Sequence, residues 1–413
     1  MARSAAYDEN LLLEDAVETV PALAAGRAFR ITATHSLWEV EPIWRALTAK
    51  SIESPGQNLD FIRLWIEAMG IPERDQFYVI AWQEQTPLAL VPLQRRWDKG
   101  VRVLSWFPGP HVGCNAPLVD VARMTAMSAE DRRRVWIRLL RSIAGADVVY
   151  MKAVPQLVVD GVDLFAELGQ ALDADILYRA AFSSFEEADR TQRNKSRRKH
   201  DRQQGDKLAA LGEIAFSEID NGPDALAVLD IMFRQRAARF REMGVFDPFA
   251  IPAVRQFYDS TVAAESNLPV KLHVLRLNGE IVAVRYNIVH GDRLFCLISS
   301  MSDDPAIQHG SPGKQCLLRV MQSVFDGGYR VFDMGEGLTD EKRHWCNQQI
   351  PVRHHYMPIT RRGALATQAH QHWQSLRRRI KNDERMFGWA KFLRGGVVKI
   401  SSKPETPGDE DRG

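Results

Sequence analysis

Residues 293–345 read RLFCLISSMSDDPAIQHGSPGKQCLLRVMQSVFDGGYRVFDMGEGLTDEKRHW, and this stretch decides the fold. It opens with an apolar and aromatic strand pattern, passes through a polar loop containing glycine, and continues with a helix from Gln315 to about Phe325. A second strand pattern, RVFDMG, follows. A strand, a helix and a strand in this order form a right-handed crossover, so the second strand should lie parallel to the first.

The loop before this helix reads GSPGK and contains Gly310, Ser311, Pro312, Gly313 and Lys314. Small residues at a helix start allow a ligand to approach the backbone, and the unpaired N–H groups of the first turn attract anions. The loop therefore predicts a pyrophosphate site, with Lys314 adding a charged contact. The alternative is that the Ser-Pro pair only begins the helix. The loop does not satisfy the GxxxxGK[ST] pattern of a nucleotide-binding P-loop.

The chain before this stretch has the same order of elements twice. In the second half the patterns predict a charged helix over 185–211, a strand over 213–219, helices over 223–243 and 251–264, and strands over 270–277, 280–289 and 293–301. In the first half they predict helices over 36–50 and 60–69, strands over 76–83, 88–97 and 101–109, a helix over 129–143 and a strand over 148–154. The first of these helices carries a capping-box pattern, Ser36 with Glu39.

This repetition predicts an α/β fold with mixed sheets and two tandem domains of one architecture. We expect a disordered leader over 1–28, an amino-terminal domain over 29–180, a carboxyl-terminal domain over 181–360, and a basic helix with a disordered tail over 361–413. The basic helix could pack against the body or lie near an anionic surface.

Composition and length restrict the class of protein. A chain of 413 residues with 45% apolar residues can form two cores. It has no apolar run long enough to span a bilayer and no signal-peptide pattern at its start, which predicts a cytoplasmic protein. The four cysteines have no zinc or disulfide spacing, so we expect free thiols and no metal.

Several short motifs in this sequence resemble those of a known family. Pro312-Gly313 begins a helix, Phe332-Asp333-Met334-Gly335 ends a strand, and Lys342-Arg343-His344-Trp345 follows. The pattern is similar to the acyl-CoA-binding core of GNAT acetyltransferases, and more narrowly to the CelD/BcsL-like acetyltransferases, which carry two GNAT-type domains and are relatives of Fem-type peptidoglycan aminoacyl ligases. The segments SPGQNLDFIRLWIEAMG, ALVPLQRRW and FPGPHVGCNAPLVD also look like family segments, so the resemblance covers about Trp44 to Pro358.

The resemblance implies a V-shaped gap between the two parallel strands that holds an acyl-CoA donor such as acetyl-CoA, with its phosphates on the GSPGK helix. Asp333, at the end of its strand, is then a candidate for the base or for orienting the acceptor. Lys342 could bind an anionic acceptor or stabilise developing charge. The alternatives are a turn-capping aspartate and a solvated lysine. Glu336 and His344 are weaker candidates for proton transfer, and Trp345 is a candidate substrate platform or a core residue.

A basic run over 190–202 has its charges on every side of a helix, which indicates a solvated segment. The alternative is contact with an anionic partner such as donor phosphates, a nucleotide sugar or RNA. The family carries a similar basic run, which makes Arg193 and Arg197 candidate substrate contacts. The run has no interleaved aromatic residues, which disfavours single-stranded nucleic acid.

Three functions are compatible with these patterns. The first is an acyl-CoA-dependent N- or O-acyltransferase that acts on a small molecule, a sugar or a polysaccharide precursor. The second is a Fem-type ligase that uses aminoacyl-tRNA, which the lack of a separate coiled-coil arm disfavours. The third is a non-catalytic factor for exopolysaccharide assembly. In the first half the counterpart of GSPGK falls near 121–133, which has no glycine, so we expect that half to be structural and to help form the acceptor cleft.

Overall fold

The computed structural model of the chain describes residues 29–382 except residue 144. The predicted leader over 1–28 and the tail beyond 382 lie outside the described residues. Within the described part, no helix combines the length and the apolar character needed to cross a bilayer.

The described part of the first half contains nine strands and four α-helices. They are β1 (Phe29–Thr34), α1 (Leu37–Thr48), α2 (Leu59–Met69), β2 (Gln76–Gln83), β3 (Thr86–Asp98), β4 (Val101–Ser105), β5 (Leu118–Val119), α3 (Val121–Thr125), α4 (Ala129–Arg141), β6 (Val148–Pro155), β7 (Val158–Val159), β8 (Val162–Asp163) and β9 (Gln170–Ala181).

The second half contains the remaining described elements. They are α5 (Phe185–Gln192), α6 (Lys195–Ala209), β10 (Ile214–Asp220), α7 (Pro223–Met243), α8 (Pro252–Val262), β11 (Val270–Leu277), β12 (Glu280–His290), β13 (Arg293–Met301), α9 (Pro305–Gln308), α10 (Pro312–Asp326), β14 (Val331–Glu336), α11 (Asp340–Trp345), β15 (Gln348–Pro358) and α12 (Arg361–Asn382).

The order of elements from β1 to β6 recurs from β10 to β14. Each copy has a strand, two helices, a three-stranded meander, a short helix, a longer helix and a strand that lies parallel to the last meander strand. The predicted mixed α/β fold with two copies of one architecture is therefore confirmed.

Strands of both copies belong to one sheet. Its order is β1-β2-β3-β4-β6-β15-β9-β14-β13-β12-β11-β10, with β5 added beside β3. The strand that follows each copy pairs with the other copy. β9 follows the first copy and pairs with β14 of the second, and β15 follows the second copy and pairs with β6 of the first. The two exchanged strands also pair with each other, from Gln348 opposite Arg179 to Tyr356 opposite Gln170.

Helices of both copies share one hydrophobic core. The rings of Phe61 and Trp65 on α2 lie 4.9 and 5.0 Å, between centroids, from the ring of Phe257 on α8. All three side chains are buried, and burial of large aromatic side chains is a strong stabilising contribution. The two copies are thus joined by a sheet and by a core.

Two local predictions were wrong. Ser36 precedes α1, but its side chain makes no capping hydrogen bond; its backbone N–H donates to Thr34 Oγ1 at 3.1 Å instead. The charged helix predicted over 185–211 is two helices, α5 and α6, separated at Arg193 and Asn194. Asn194 is the reason for the break, because its side chain accepts a hydrogen bond from the Arg197 N–H and so begins a new helix.

Other local predictions were confirmed. Gly70 ends α2 in the left-handed conformation, with φ of 60°. Asn278 and Gly279 form the tight turn between β11 and β12, with φ values of 51° and 84°. The described part of the basic terminal helix, α12, packs against β4, β6 and β15 of the body.

Candidate active site

The parallel strands β13 and β14 separate after a short region of pairing. They are paired only from Arg293 opposite Val331 to Phe295 opposite Asp333. Beyond this point β13 continues to Met301 and β14 to Glu336 without pairing to each other. The predicted parallel arrangement is confirmed, and a gap opens between the two strands.

A β-bulge lies in the wall of this gap. On β12, Asn287 is opposite Cys296 and Tyr286 is opposite Ile298, so Leu297 has no opposite residue. Its backbone also has no partner on β14, where pairing has already ended. Bulges redirect backbone groups out of the ladder, and here the redirected residue lines the gap.

The gap contains a cavity of about 700 Å³, including the part open to solvent. The second copy contributes residues on both separated strands and Lys342, and the first copy contributes two loops. The lining residues are Glu53, Pro55, His111, Val112, Gly113, Cys114, Phe295, Cys296, Leu297, Asp333, Met334, Gly335, Glu336 and Lys342. Gly113 lies so close to β14 that a Cβ there would be 3.0 Å from the Cα of Gly335.

The structure places Asp333 in this wall, with its carboxylate fully engaged. Oδ2 accepts from Arg179 Nε at 2.7 Å, and Oδ1 accepts from the Gly335 N–H at 2.8 Å. Arg179 also binds Glu53, whose other oxygen accepts from Arg293 at 2.9 Å. Burial alone would raise the pKa of Glu53, but Arg179 and Arg293 outweigh it and the pKa is lowered. These two guanidinium groups and two carboxylates form a largely buried network across both copies.

The structure also places Lys342 in the wall of the gap, and its ammonium group is saturated. Nζ donates to the carbonyl oxygens of Gly335, Glu336 and Gly337 at 3.2, 2.6 and 2.8 Å. The residue is 8% exposed, and burial lowers the pKa of its amine. Lys342 is therefore not a solvated surface lysine, and in this conformation it holds the loop that follows β14.

The start of α10 presents one free amide. The Ser311 carbonyl accepts from the N–H groups of Lys314 and Gln315, both at 3.0 Å, and Pro312 has no N–H. Among the described residues no acceptor pairs with the Gly313 N–H. This helix start therefore has one unpaired amide rather than several, because Pro312 lacks an N–H and the Lys314 N–H already donates to the Ser311 carbonyl.

A second cavity, of about 730 Å³ including its open part, lies beside Gly313. Its cations are Arg236 and Arg239 on α7 and Arg285 on β12. Arg285 is buried and binds Glu341 at 2.8 Å. Arg236 has no carboxylate partner among the described residues, its Nε is buried without an acceptor, and burial lowers its pKa. The same cavity is lined by the carboxylates of Glu242, Asp303 and Glu341. A guanidinium without an ion pair and a free helix amide in one cavity fit a phosphate group.

The ends of the GSPGK loop have other contacts. Gly310 packs against α6, since a Cβ there would lie 2.7 Å from the Cβ of Leu208. Lys314 Nζ donates to Asp340 Oδ2 at 3.1 Å. Of the five residues of this loop, only Gly313 lines the second cavity.

Arg193, Arg197 and Trp345 were predicted to contact substrate, but none of them lines either cavity. Arg193 is 5% exposed, binds Asp189 and Asp201, and lies 4.8 Å above the ring of Trp345, which is itself buried. Arg197 binds Asp201 and Asp340. Three arginines of the basic run, Arg193, Arg197 and Arg198, are thus paired within the fold with Asp189, Asp201 and Asp340.

In the first copy the corresponding gap is filled. Pairing between β4 and β6 ends at Leu104 opposite Val149, and the buried side chain of Trp106 then donates from Nε1 to the Lys152 carbonyl at 3.0 Å. Ser128 caps the following helix by accepting from the Asp131 N–H. Trp106 therefore bridges the separated strands of this copy, and the helix start carries a serine cap followed by the carboxylates of Glu130 and Asp131.

Sequence reasoning assigned no role to three residues that the structure brings to the gap. In the chain, Arg179 is 154 positions from Asp333 and 126 positions from Glu53. His111 lies in a Pro-Gly-rich loop whose only sequence signal was its likeness to a family segment. The described residues contain no group of three or more His, Cys, Asp or Glu placed to hold a metal, and all four cysteines are free thiols.

Comparison with known proteins agrees with this geometry. Residues 195–343 match the family Acetyltransf_6, described as an acetyltransferase (GNAT) domain. The second copy therefore contains a GNAT-fold domain, whose matched region includes β13, α10, β14 and most of α11. No curated protein matches the chain in sequence.

Similar solved structures share little sequence with this chain. The carboxyl-terminal domain of a putative lysylphosphatidylglycerol synthetase from Agrobacterium fabrum is 15% identical, with a TM-score of 0.45, covering 75% of this chain and 90% of that one. FemX is 10% identical, with a TM-score of 0.44 and coverage of 73% and 97%. A tandem GNAT protein from the clavulanic acid pathway is 9% identical, with a TM-score of 0.43 and coverage of 81% and 99%.

Proposed function

We propose that this protein is an acyl-CoA-dependent N- or O-acyltransferase of the CelD/BcsL-like kind that acts in the cytoplasm on a sugar, a polysaccharide precursor or another cell-envelope substrate. One observation carries the proposal: the strands of the GNAT-fold domain separate after Phe295 and Asp333, and the gap between them is open. The acetyltransferase (GNAT) match over residues 195–343 supports the same activity.

The residues of the second cavity fit the phosphates of an acyl-CoA donor. The Gly313 N–H has no acceptor and Arg236 has no carboxylate partner within the described chain, so both are suited to the donor's phosphates. Glu341 already neutralises Arg285, which leaves Arg236 as the stronger anion contact. The separated strands give the narrow pantetheine arm a path between Leu297 and Gly335.

Bound acyl-CoA supplies a thioester, and the acceptor's amine or hydroxyl attacks its carbonyl carbon. The C–S bond of the thioester breaks as a C–N or C–O bond forms. The acceptor loses a proton and the leaving sulfur gains one, so coenzyme A leaves as a thiol. We assign stabilisation of the developing oxyanion to the backbone N–H of Leu297, the unpaired residue of the bulge. Asp333 is held by Arg179 and by the Gly335 N–H, so its role is to orient the wall of the site rather than to accept a proton.

Isothermal titration calorimetry with acetyl-CoA, uncharged tRNA and a nucleotide sugar tests the proposal against its alternatives. We expect the chain to bind acetyl-CoA and neither of the other ligands. Binding of tRNA alone would favour an aminoacyl-tRNA ligase, and binding of none of the three would favour a non-catalytic factor. Within the basic run, Arg193, Arg197 and Arg198 are already paired with Asp189, Asp201 and Asp340, which disfavours their use in binding tRNA.

Two matched variants localise the binding. Gly313→Glu places a carboxylate at the start of α10 and should weaken acetyl-CoA binding by more than about tenfold, which corresponds to about 1.4 kcal/mol. Ala129→Glu places the same group at the exposed start of α4 in the first copy and should leave binding unchanged. A carboxylate is stabilising at either helix start, so neither variant should unfold the protein. Equal effects of both variants would contradict the placement of the donor.

A further inference from the structure

His111 is a residue of the first copy that lines the gap of the second. It ends the short 3-10 helix Gly109–His111, and its ring lies against Trp65 of α2, with 4.9 Å between centroids. Its Nδ1 is hydrogen bonded to the hydroxyl of Tyr258 on α8 at 3.3 Å. Burial lowers the pKa of this imidazole to about 4, so the ring is neutral at physiological pH.

The contact with Tyr258 determines which imidazole nitrogen carries the proton. Burial raises the pKa of Tyr258 well above its usual value, so the hydroxyl keeps its proton. Within the described chain, the acceptor at hydrogen-bonding distance from this hydroxyl is Nδ1 of His111. A buried donor left without an acceptor costs about 1–3 kcal/mol, so the hydroxyl donates to Nδ1. The proton of the neutral ring is then on Nε2.

The Nε2–H of His111 has no acceptor among the described residues. The carboxylates of Asp333 and Glu53 and the ammonium of Lys342, which line the same cavity, are all engaged. A second donor in the same aromatic cluster, Nε1 of Trp65, is buried and also lacks an acceptor. The two unpaired donors therefore lie on adjacent rings supplied by the first copy.

We propose that His111 binds the acceptor, donating from Nε2 to an oxygen that lies beside the nucleophile. This inference rests on the proposed function, which it deepens. It assigns the acceptor to compounds with a hydroxyl, carbonyl or carboxylate oxygen next to the reacting group, and it gives the first copy a direct part in substrate recognition. The imidazole in this tautomer has no lone pair toward the acceptor, so it binds the acceptor and does not take its proton.

The tautomer is measured directly by long-range ¹H–¹⁵N NMR of the full chain labelled at histidine, at pH 7. His111→Gln identifies the signals. We expect Nε2 to be protonated and Nδ1 to be bare, and we expect Tyr258→Phe to abolish this preference. A ring protonated at Nδ1 alone, or a charged ring, would overturn the proposal whether or not the protein binds acyl-CoA.

Transfer from acetyl-CoA to a panel of amino sugars, amino acids and simple amines tests the role in binding. In His111→Phe, which keeps an aromatic ring, the acceptor KM should rise about tenfold while the KM for acetyl-CoA stays unchanged. His111→Gln, whose amide also donates, should lie within about threefold of the native protein. Equal loss in both variants, or full activity in His111→Phe, would overturn the proposal. If the native chain acylates no member of the panel, the proposed function fails, and the tautomer still decides the state of His111.

Discussion

Arg179 on β9 donates from Nε to Oδ2 of Asp333 on β14 at 2.7 Å, and the two side chains are only 5% and 6% exposed. The two strands are neighbours because each copy of the fold places its final strand against the other copy. This ion pair therefore lies at the junction of the copies and at the wall of the candidate site. Glu53, on a loop of the first copy, binds the same guanidinium.

Replacing Arg179 with methionine should lower the free energy of unfolding by about 3–5 kcal/mol, because it leaves the buried carboxylate of Asp333 without a cation and removes one of the two guanidinium partners of Glu53. Chemical denaturation measures this change. Arg45→Met is the control: its guanidinium is 48% exposed and binds Glu41 and Asp60, so the loss should be within about 1 kcal/mol. Similar losses in the two variants would show that the buried network does not stabilise the junction.

Lys342→Met should lower turnover more than it lowers affinity for acetyl-CoA, because the ammonium holds the carbonyls of Gly335, Glu336 and Gly337 at the gap, whereas the proposed phosphate contacts lie in the second cavity. Loss of these contacts should also lower the free energy of unfolding by about 2–3 kcal/mol. Steady-state kinetics and denaturation test both parts. Lys314→Met, which breaks a half-exposed pair with Asp340, should change stability by less than about 1 kcal/mol.

Trp106→Ala should remove the side chain that fills the gap of the first copy and lower the free energy of unfolding by about 3–5 kcal/mol. It should not create a second donor site, because the helix that follows in this copy begins with a serine cap and two acidic residues. Calorimetry should therefore give one acetyl-CoA per chain in the native protein and in the variant. A stoichiometry of two in either would be inconsistent with a structural first copy.

Stability should fall as the pH is lowered from about 6.5 to 4. Burial lowers the pKa of His111, His354 and His355 to about 4 in the folded chain, whereas an unfolded histidine titrates near 6.5. Above pH 6.5 neither state is protonated and stability is complete; below it the unfolded state takes up protons first. Each unit of pKa difference corresponds to about 1.4 kcal/mol for a fully shifted group.

Thermal unfolding measured from pH 8 to 4 checks this expectation. The melting temperature should be nearly constant between pH 8 and 7 and fall steadily below about 6.5. Glutamine in place of the exposed His309 should leave the profile unchanged. A melting temperature that stays level down to pH 4 would show that the buried imidazoles do not control it.

Local patterns were enough to predict the elements of this fold, because periodicity and turn residues act over a few positions. The hairpin at Asn278 and Gly279 and the helix end at Gly70 are examples. The exchange of β9 and β15 could not be read in this way, since it depends on pairing between segments more than 150 residues apart. The break before α6 was missed because the cap at Asn194 competes with continuous helical propensity.

The strand-end motif indicated Asp333 as a candidate, and the structure has both Asp333 and Lys342 in the wall of the gap. Their partners could not be predicted, because Arg179 and the carbonyls around Gly335 come together only in the folded sheet. For the same reason the likeness of the basic run to that of the family predicted substrate contacts for Arg193 and Arg197. In the structure, aspartates already bind both residues. Neither the charge pattern nor the periodicity of the sequence indicated that His111 of the first copy lies in the site.

A crystal structure of the chain with coenzyme A tests the central claim most directly. We expect the pantetheine arm between Leu297 and Gly335, and the pyrophosphate within hydrogen-bonding distance of the Gly313 N–H and of Arg236. Coenzyme A bound in the first copy near Trp106, or bound away from the separation of β13 and β14, would contradict the acyltransferase site described for this protein.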